Sequence, residues 1–217
     1  MTRLLKEKTK PADFDKTETT LATPLVVIKR SLFSIWISSV LHPKETFGSE
    51  KSNASWKFSL LNYSIYPIAL MLLLAWVGAQ VFPLDAAAFL GSQNSGLMLI
   101  FGIILIVSSW IGALFWATIT HFFARLLHGN GTLLQQYYVN SLYAPVVGII
   151  GAILNASLLF SPWLFVLFVP YLLYSLYLMT IAFKEVHEFS VGKAVLSWIS
   201  PILVLGAIAI IIALIAR

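Results

Sequence analysis

Five apolar runs, each long enough to cross a bilayer, leave this chain little freedom in what it can become. They cover about residues 58–82, 97–127, 133–160, 163–183 and 194–216. A hydrocarbon core about 30 Å thick needs about 20 apolar residues at a rise of about 1.5 Å each. Backbone inside hydrocarbon must satisfy its own hydrogen bonds, so only helices and closed barrels can span. Unbroken runs of this length select helices. The fold class expected is therefore all-α, a polytopic transmembrane helix bundle. Composition agrees, since charged residues are 11% of the chain against about 25% in soluble domains. That is too few charges to build a water-soluble surface.

The connections are marked by turn residues. Pro83, Asp85, Gly91, Gln93 and Asn94 follow the first run. His128-Gly129-Asn130-Gly131-Thr132 follows the second, Ser161-Pro162 the third, and Lys184 to Lys193 the fourth. The second run exceeds a simple span, so its last two turns are expected to emerge into the interface. Four prolines (Pro67, Pro145, Pro170 and Pro201) interrupt or open helices. An internal proline frees a carbonyl that a neighbour must satisfy.

Two segments precede the first span. Residues 1–23 are polar and read as a disordered cytoplasmic tail, with no short apolar stretch and cleavage site after them. The first span is then expected to be its own insertion signal. Residues 24–57 form an amphipathic juxtamembrane segment, with a helix expected over 25–41. Leu25, Ile28, Leu32, Phe33, Trp36, Ile37, Val40 and Leu41 recur at helical spacing, and Lys29, Arg30 and serines break the run. The segment is too polar to span. It suits an interfacial helix with Lys29, Arg30 and Trp36 as a membrane-surface anchor, or a short helix packed on the bundle. His42-Pro43 ends it, because the residue before proline is pushed out of helical geometry.

Charge sets the expected orientation. Ten of the 14 Lys and Arg lie in residues 1–57. With the N-terminus inside, Arg125, Lys184 and Lys193 join them, and only Arg217 falls outside. The positive-inside rule predicts N-in, C-out. Anionic headgroups are the expected contact of this basic end. Nucleic acid is not, because Glu7, Asp13, Asp15, Glu18, Glu45 and Glu50 dilute the charge.

Polar residues within the spans gather toward the same end. His121 and Arg125 are four apart and share a helix face. Folding about Asn130 brings Arg125 toward Gln135 and Gln136, and His121 toward Asn140. His121, Arg125, Gln135, Gln136 and Asn140 are thus the candidate cluster for lipid or partner contact. The competing reading is interhelical hydrogen bonding, with Arg125 snorkelling to phosphate.

No catalytic or metal centre emerges. His187-Glu188 lacks the second histidine of a zinc-protease helix. The absence of cysteine excludes disulfides and thiolate metal sites. His42, His121, His128 and His187 have no ligand-like spacing. No cofactor is expected.

Three pieces resemble the Yip1 domain family. They are Val40-Leu41-His42-Pro43-Lys44-Glu45-Thr46-Phe47; the turn around Gly129 and Gly131, followed by Tyr138 and Ser141-Leu142-Tyr143-Ala144-Pro145; and His187-Glu188-Phe189-Ser190-Val191-Gly192-Lys193-Ala194. The resemblance implies a cytoplasmic N-terminus and five spans. It also implies, for eukaryotic members, Golgi or endoplasmic reticulum membranes, Rab-type GTPases and vesicle-coat partners. Those members carry Asp-Leu-Tyr-Gly-Pro before the first span. This chain lacks that motif, which points to a bacterial or archaeal branch and its cell membrane. The function expected is a non-enzymatic membrane scaffold or organising factor with a membrane or cytoplasmic protein partner, and with self-association. The alternative is a transporter or channel for a small or lipid-like solute.

Overall fold

The computed structural model describes residues 31–81, 95–158 and 161–216. Residues Ser31–Arg217 group as one compact unit. The elements are α1 (Leu32–Leu41), α2 (Pro43–Glu50), a 3-10 turn (Lys51–Asn53), α3 (Trp56–Val81), α4 (Ser95–Leu126), α5 (Leu133–Ser157), a 3-10 lead-in (Pro162–Leu167), α6 (Phe168–His187) and α7 (Val191–Ile215). Five helical stretches are long and apolar enough to cross a membrane: α3, α4, α5, α6 with its lead-in, and α7. Among the described residues there is no strand.

Local chemistry explains the boundaries. Thr132 caps α5 reciprocally. Its Oγ1 accepts from the Gln135 amide at 3.2 Å, and Gln135 Oε1 accepts from the Thr132 amide at 2.9 Å. Pro43 opens α2 where a missing N–H costs nothing. That helix has no apolar stripe by which its sequence would announce it. It is held instead by burial of Pro43, Thr46, Phe47 and Glu50. The sequence pattern stops the fourth apolar run at Phe183, yet α6 continues to His187. Val186 and His187 turn inward and are buried, while Lys184 and Glu185 remain half-buried.

Central in the bundle is α5, the most buried of the five spans. Residues Gln136 to Leu142 are buried without interruption. Its most extensive contact is with α3. The proline in α3 is accommodated as expected: Pro67 frees the carbonyl of Tyr63, and Ser109 Oγ of α4 donates to it at 3.0 Å. Burial concentrates at one end of the molecule. From Ile202 to Ile215 every residue of α7 is exposed, as suits lipid-facing helix.

All Lys, Arg, Asp and Glu among the described residues belong to the buried, well-packed end. There α1 and α2 lie on the bundle. Ile35 and Phe47 join Tyr138, Val139, Leu142, Ala182 and Val186 in one apolar cluster. Trp36 Nε1 donates to Asn62 Oδ1 at 3.0 Å, Asn62 Nδ2 donates to Ser141 Oγ at 3.0 Å, and Ser39 Oγ donates to the Leu142 carbonyl at 3.1 Å. Polar bonds thus tie α1 to α3 and α5. Trp36→Phe keeps most of the ring packing and removes one donor. We expect a loss of about 1 kcal/mol and faster amide exchange confined to residues 32–41. Unchanged exchange there would mean that the Trp36–Asn62 bond does not hold α1.

Candidate functional site

The polar centre of this end is a single amide. Gln136 is buried on the first turns of α5. Its Nε2 donates to the Ala117 carbonyl at 3.0 Å and to Thr120 Oγ1 at 2.8 Å, both on α4. That orientation turns Oε1 toward two imidazoles: His121 Nδ1 at 3.2 Å and His187 Nε2 at 2.8 Å. An amide oxygen only accepts, so both ring nitrogens carry their protons there. Both donors and both lone pairs of Gln136 are engaged, and α4, α5 and α6 meet through one side chain. The two rings lie 5.3 Å apart, centroid to centroid. His187 Nδ1 remains a buried lone pair without a partner among the described residues.

The expected cluster is therefore assembled in part, with its register corrected. His121 meets Gln136 rather than Asn140. Arg125 reaches neither glutamine: its Nη1 donates to the Gly129 carbonyl at 2.8 Å, and the residue stays exposed. Gln135 serves the helix cap. Asn140, one turn further along α5, lines a separate cleft. Trp36 is half-buried and bonded to Asn62, whereas Lys29 and Arg30 lie outside the described residues.

His187 stands outside the cluster expected from the sequence, yet it bonds the amide at the cluster's centre. The useful signal was periodicity, since it follows Phe183 by four and continues that helix's buried face. Around it, two helix ends interlock. Helices α4 and α6 both terminate in a left-handed residue that is not glycine: His128 at φ 66° and Glu188 at φ 59°. In each case the next amide reaches back five residues. Gly129 N donates to the Ala124 carbonyl at 2.9 Å, and Phe189 N to the Lys184 carbonyl at 3.1 Å. The glycines of the turn serve close approach. A Cβ on Gly129 would stand 2.7 Å from His187 Nδ1, and one on Gly131 would stand 2.6 Å from the Val186 carbonyl oxygen.

Lys51 closes this junction from the 3-10 turn. Its Nζ donates to the Glu185 carbonyl at 3.1 Å and to Glu188 Oε1 at 3.0 Å. That hydrogen bond and the ammonium charge hold the Glu188 carboxyl below the usual carboxylate range. Lys51 is half-buried and Glu188 exposed, and pairs open to solvent in this way contribute little.

The three sequence pieces that suggested a family thus meet at one place. Phe47 stacks obliquely on Tyr143 at 5.9 Å between centroids, the Gly129–Gly131 turn abuts the end of α6, and His187 bonds Gln136. Comparison with curated proteins found no match, and comparison with solved structures found none. The family model of the Yip1 domain matches residues 37–214, which takes in α2 through nearly all of α7. A match over most of the sequence makes the chain a member of the Yip1 family of integral membrane proteins.

Proposed function

We propose that this Yip1-family protein is a non-enzymatic scaffold or organising factor of its membrane, contacting a protein partner or lipid headgroups through its charged end. The observation that carries the reading is the fixed α1–α2 cap. Ile35, Phe47, Trp36 and Ser39 bind it to the bundle, while Phe33, Leu41, Lys44, Glu45 and Lys57 stay exposed. An anchored surface that mixes apolar and charged side chains suits a specific contact. The positive-inside count supports a cytoplasmic position for this end. Arg125, exposed at the end of α4, has the long side chain that suits snorkelling to lipid phosphate. The two histidines nearest one another share a single amide acceptor, which supports a tying role for His121, Gln136 and His187.

Photo-crosslinking in native membranes tests the proposal. A crosslinker at Phe33, Leu41 or Lys44 is expected to capture a defined partner or anionic lipid, and one at Ile211 only bulk lipid. Indistinguishable products from both positions would overturn it. The second reading, a transporter for a small or lipid-like solute, draws support from the cleft beside Asn140. Solute flux in reconstituted vesicles is its test.

A further inference from the structure

Between α3, α4, α5 and α6 lies a cleft of about 340 Å³, lined by Tyr63, Tyr66, Trp116, Asn140, Tyr143 and Tyr171 among others. Its size falls in the range of small-molecule sites, about 300–1,000 Å³. Two glycines of α5 lie in its lining. A Cβ on Gly148 would meet Tyr66 Cβ at 2.7 Å, and one on Gly151 would meet the Tyr171 hydroxyl at 2.5 Å. The glycines thus let α5 approach α3 and α6 while the tyrosine rings form the wall. Tyr171 is fixed in place, its hydroxyl donating to the Val147 carbonyl at 3.3 Å.

Two features of the lining restrict an occupant. No Lys, Arg, His, Asp or Glu contributes to it. An anion or cation entering would find no counter-charge within a membrane span, at a cost of several kcal/mol. Asn140 supplies the opposite constraint. The residue is 8% exposed, and its Oδ1 is buried without a partner among the described residues. A buried acceptor left unpaired is costly, and native structures rarely tolerate one. The space is also far larger than the roughly 10–15 Å³ that a single water requires. The chemistry that answers both constraints is uncharged, mostly apolar and able to donate one hydrogen bond.

We propose that this cleft binds an uncharged, hydroxyl-bearing amphiphile drawn from the bilayer, its hydroxyl donating to Asn140 Oδ1 once the side-chain amide, whose oxygen is buried behind the lining, turns toward the cleft, and its apolar body lying against the aromatic wall. The inference is independent of the scaffold reading, because it concerns the membrane-embedded part of the bundle and not the α1–α2 cap.

The test uses the full chain in lipid nanodiscs and three probes with the same diazirine-bearing acyl chain: a diacylglycerol, its methyl ether and a phosphatidylcholine. The diacylglycerol is expected to label peptides of α3 and α5 over the other two by roughly fivefold, the loss expected for one hydrogen bond. Asn140→Leu is expected to bring its labelling down to that of the ether. Competition by an unlabelled long-chain alcohol or by a sterol then identifies which body fits the wall. Equal labelling by the hydroxyl and ether probes, read on the unaltered protein, would overturn the proposal whatever the variant does. So would undiminished labelling of a monodisperse Asn140→Leu protein, or labelling confined to other faces of the bundle.

Discussion

Gly131→Ala is expected to cost about 3 kcal/mol and to yield little monodisperse protein. A Cβ there would stand 2.5 Å from Val186 Cγ1, 2.6 Å from the Val186 carbonyl oxygen and 3.0 Å from its carbonyl carbon. A valine methyl can change rotamer, but the carbonyl belongs to the last turn of α6 and cannot. The turn must move away, and with it the start of α5, which carries Gln136 to the two histidines. Gly129→Ala is the milder neighbour. Its new Cβ would meet two side-chain atoms at 2.7 Å, His187 Nδ1 and Phe189 Cζ, and the Ala124 carbonyl only at 3.0 Å. Side chains can yield, so about 1–2 kcal/mol is expected. Gly192→Ala is the control. Nothing lies within 4 Å of its added Cβ, and replacing a helical glycine gains roughly 0.5–1 kcal/mol. Thermal midpoints in mild detergent should rank Gly192→Ala above the unaltered protein, then Gly129→Ala, then Gly131→Ala. If Gly131→Ala melts with Gly192→Ala, the turn and α6 do not interlock as described.

That ranking shows which parts of the molecule were legible in the sequence. The five spans were, because apolar length alone decides them. The Gly129–Gly131 turn was, though for a different physical reason. Glycines in a turn suggest positive φ, yet the left-handed residue is His128 at φ 66°, and the glycines serve contact with α6. The membership of Gln136 and His121 in one cluster was foreseen, and their pairing was not. A fold centred on Asn130 puts His121 opposite Asn140. The five-residue reach-back from Gly129 to Ala124 tightens the end of α4, moves the pivot toward His128–Gly129, and sets His121 opposite Gln136. Helix α2 was hidden because Lys44, Glu45, Gly48, Ser49 and Glu50 show no apolar period. The cleft was hidden for a deeper reason. It exists only where four helices separated in sequence come together, and no local pattern reports the space between them.

Gln136→Leu is the second substitution of large expected effect. Leucine fills a similar volume and removes four hydrogen bonds at once. Two of them, Nε2 to the Ala117 carbonyl and to Thr120 Oγ1, end on acceptors that have other partners: the helix itself for Ala117, and for Thr120 its own donation to the Trp116 carbonyl at 2.8 Å. The other two matter more. His121 Nδ1–H and His187 Nε2–H lose the one acceptor each has among the described residues, and His187 is buried. Stranding a buried donor costs about 1–3 kcal/mol, so the pair predicts a loss of about 2–4 kcal/mol. The asymmetry between breaking a pair and removing it gives a sharper check. His187→Phe alone costs one bond but leaves Gln136 its remaining partners. In the double variant, leucine faces phenylalanine and the stranded His187 donor no longer exists. The double variant is then expected to be more stable than the sum of the singles by about 1–2 kcal/mol. Strict additivity would mean that Gln136 and His187 do not act through one another. The junction of α4, α5 and α6 would then be held by its apolar neighbours, Phe183, Phe189 and Trp198, instead of by the shared amide.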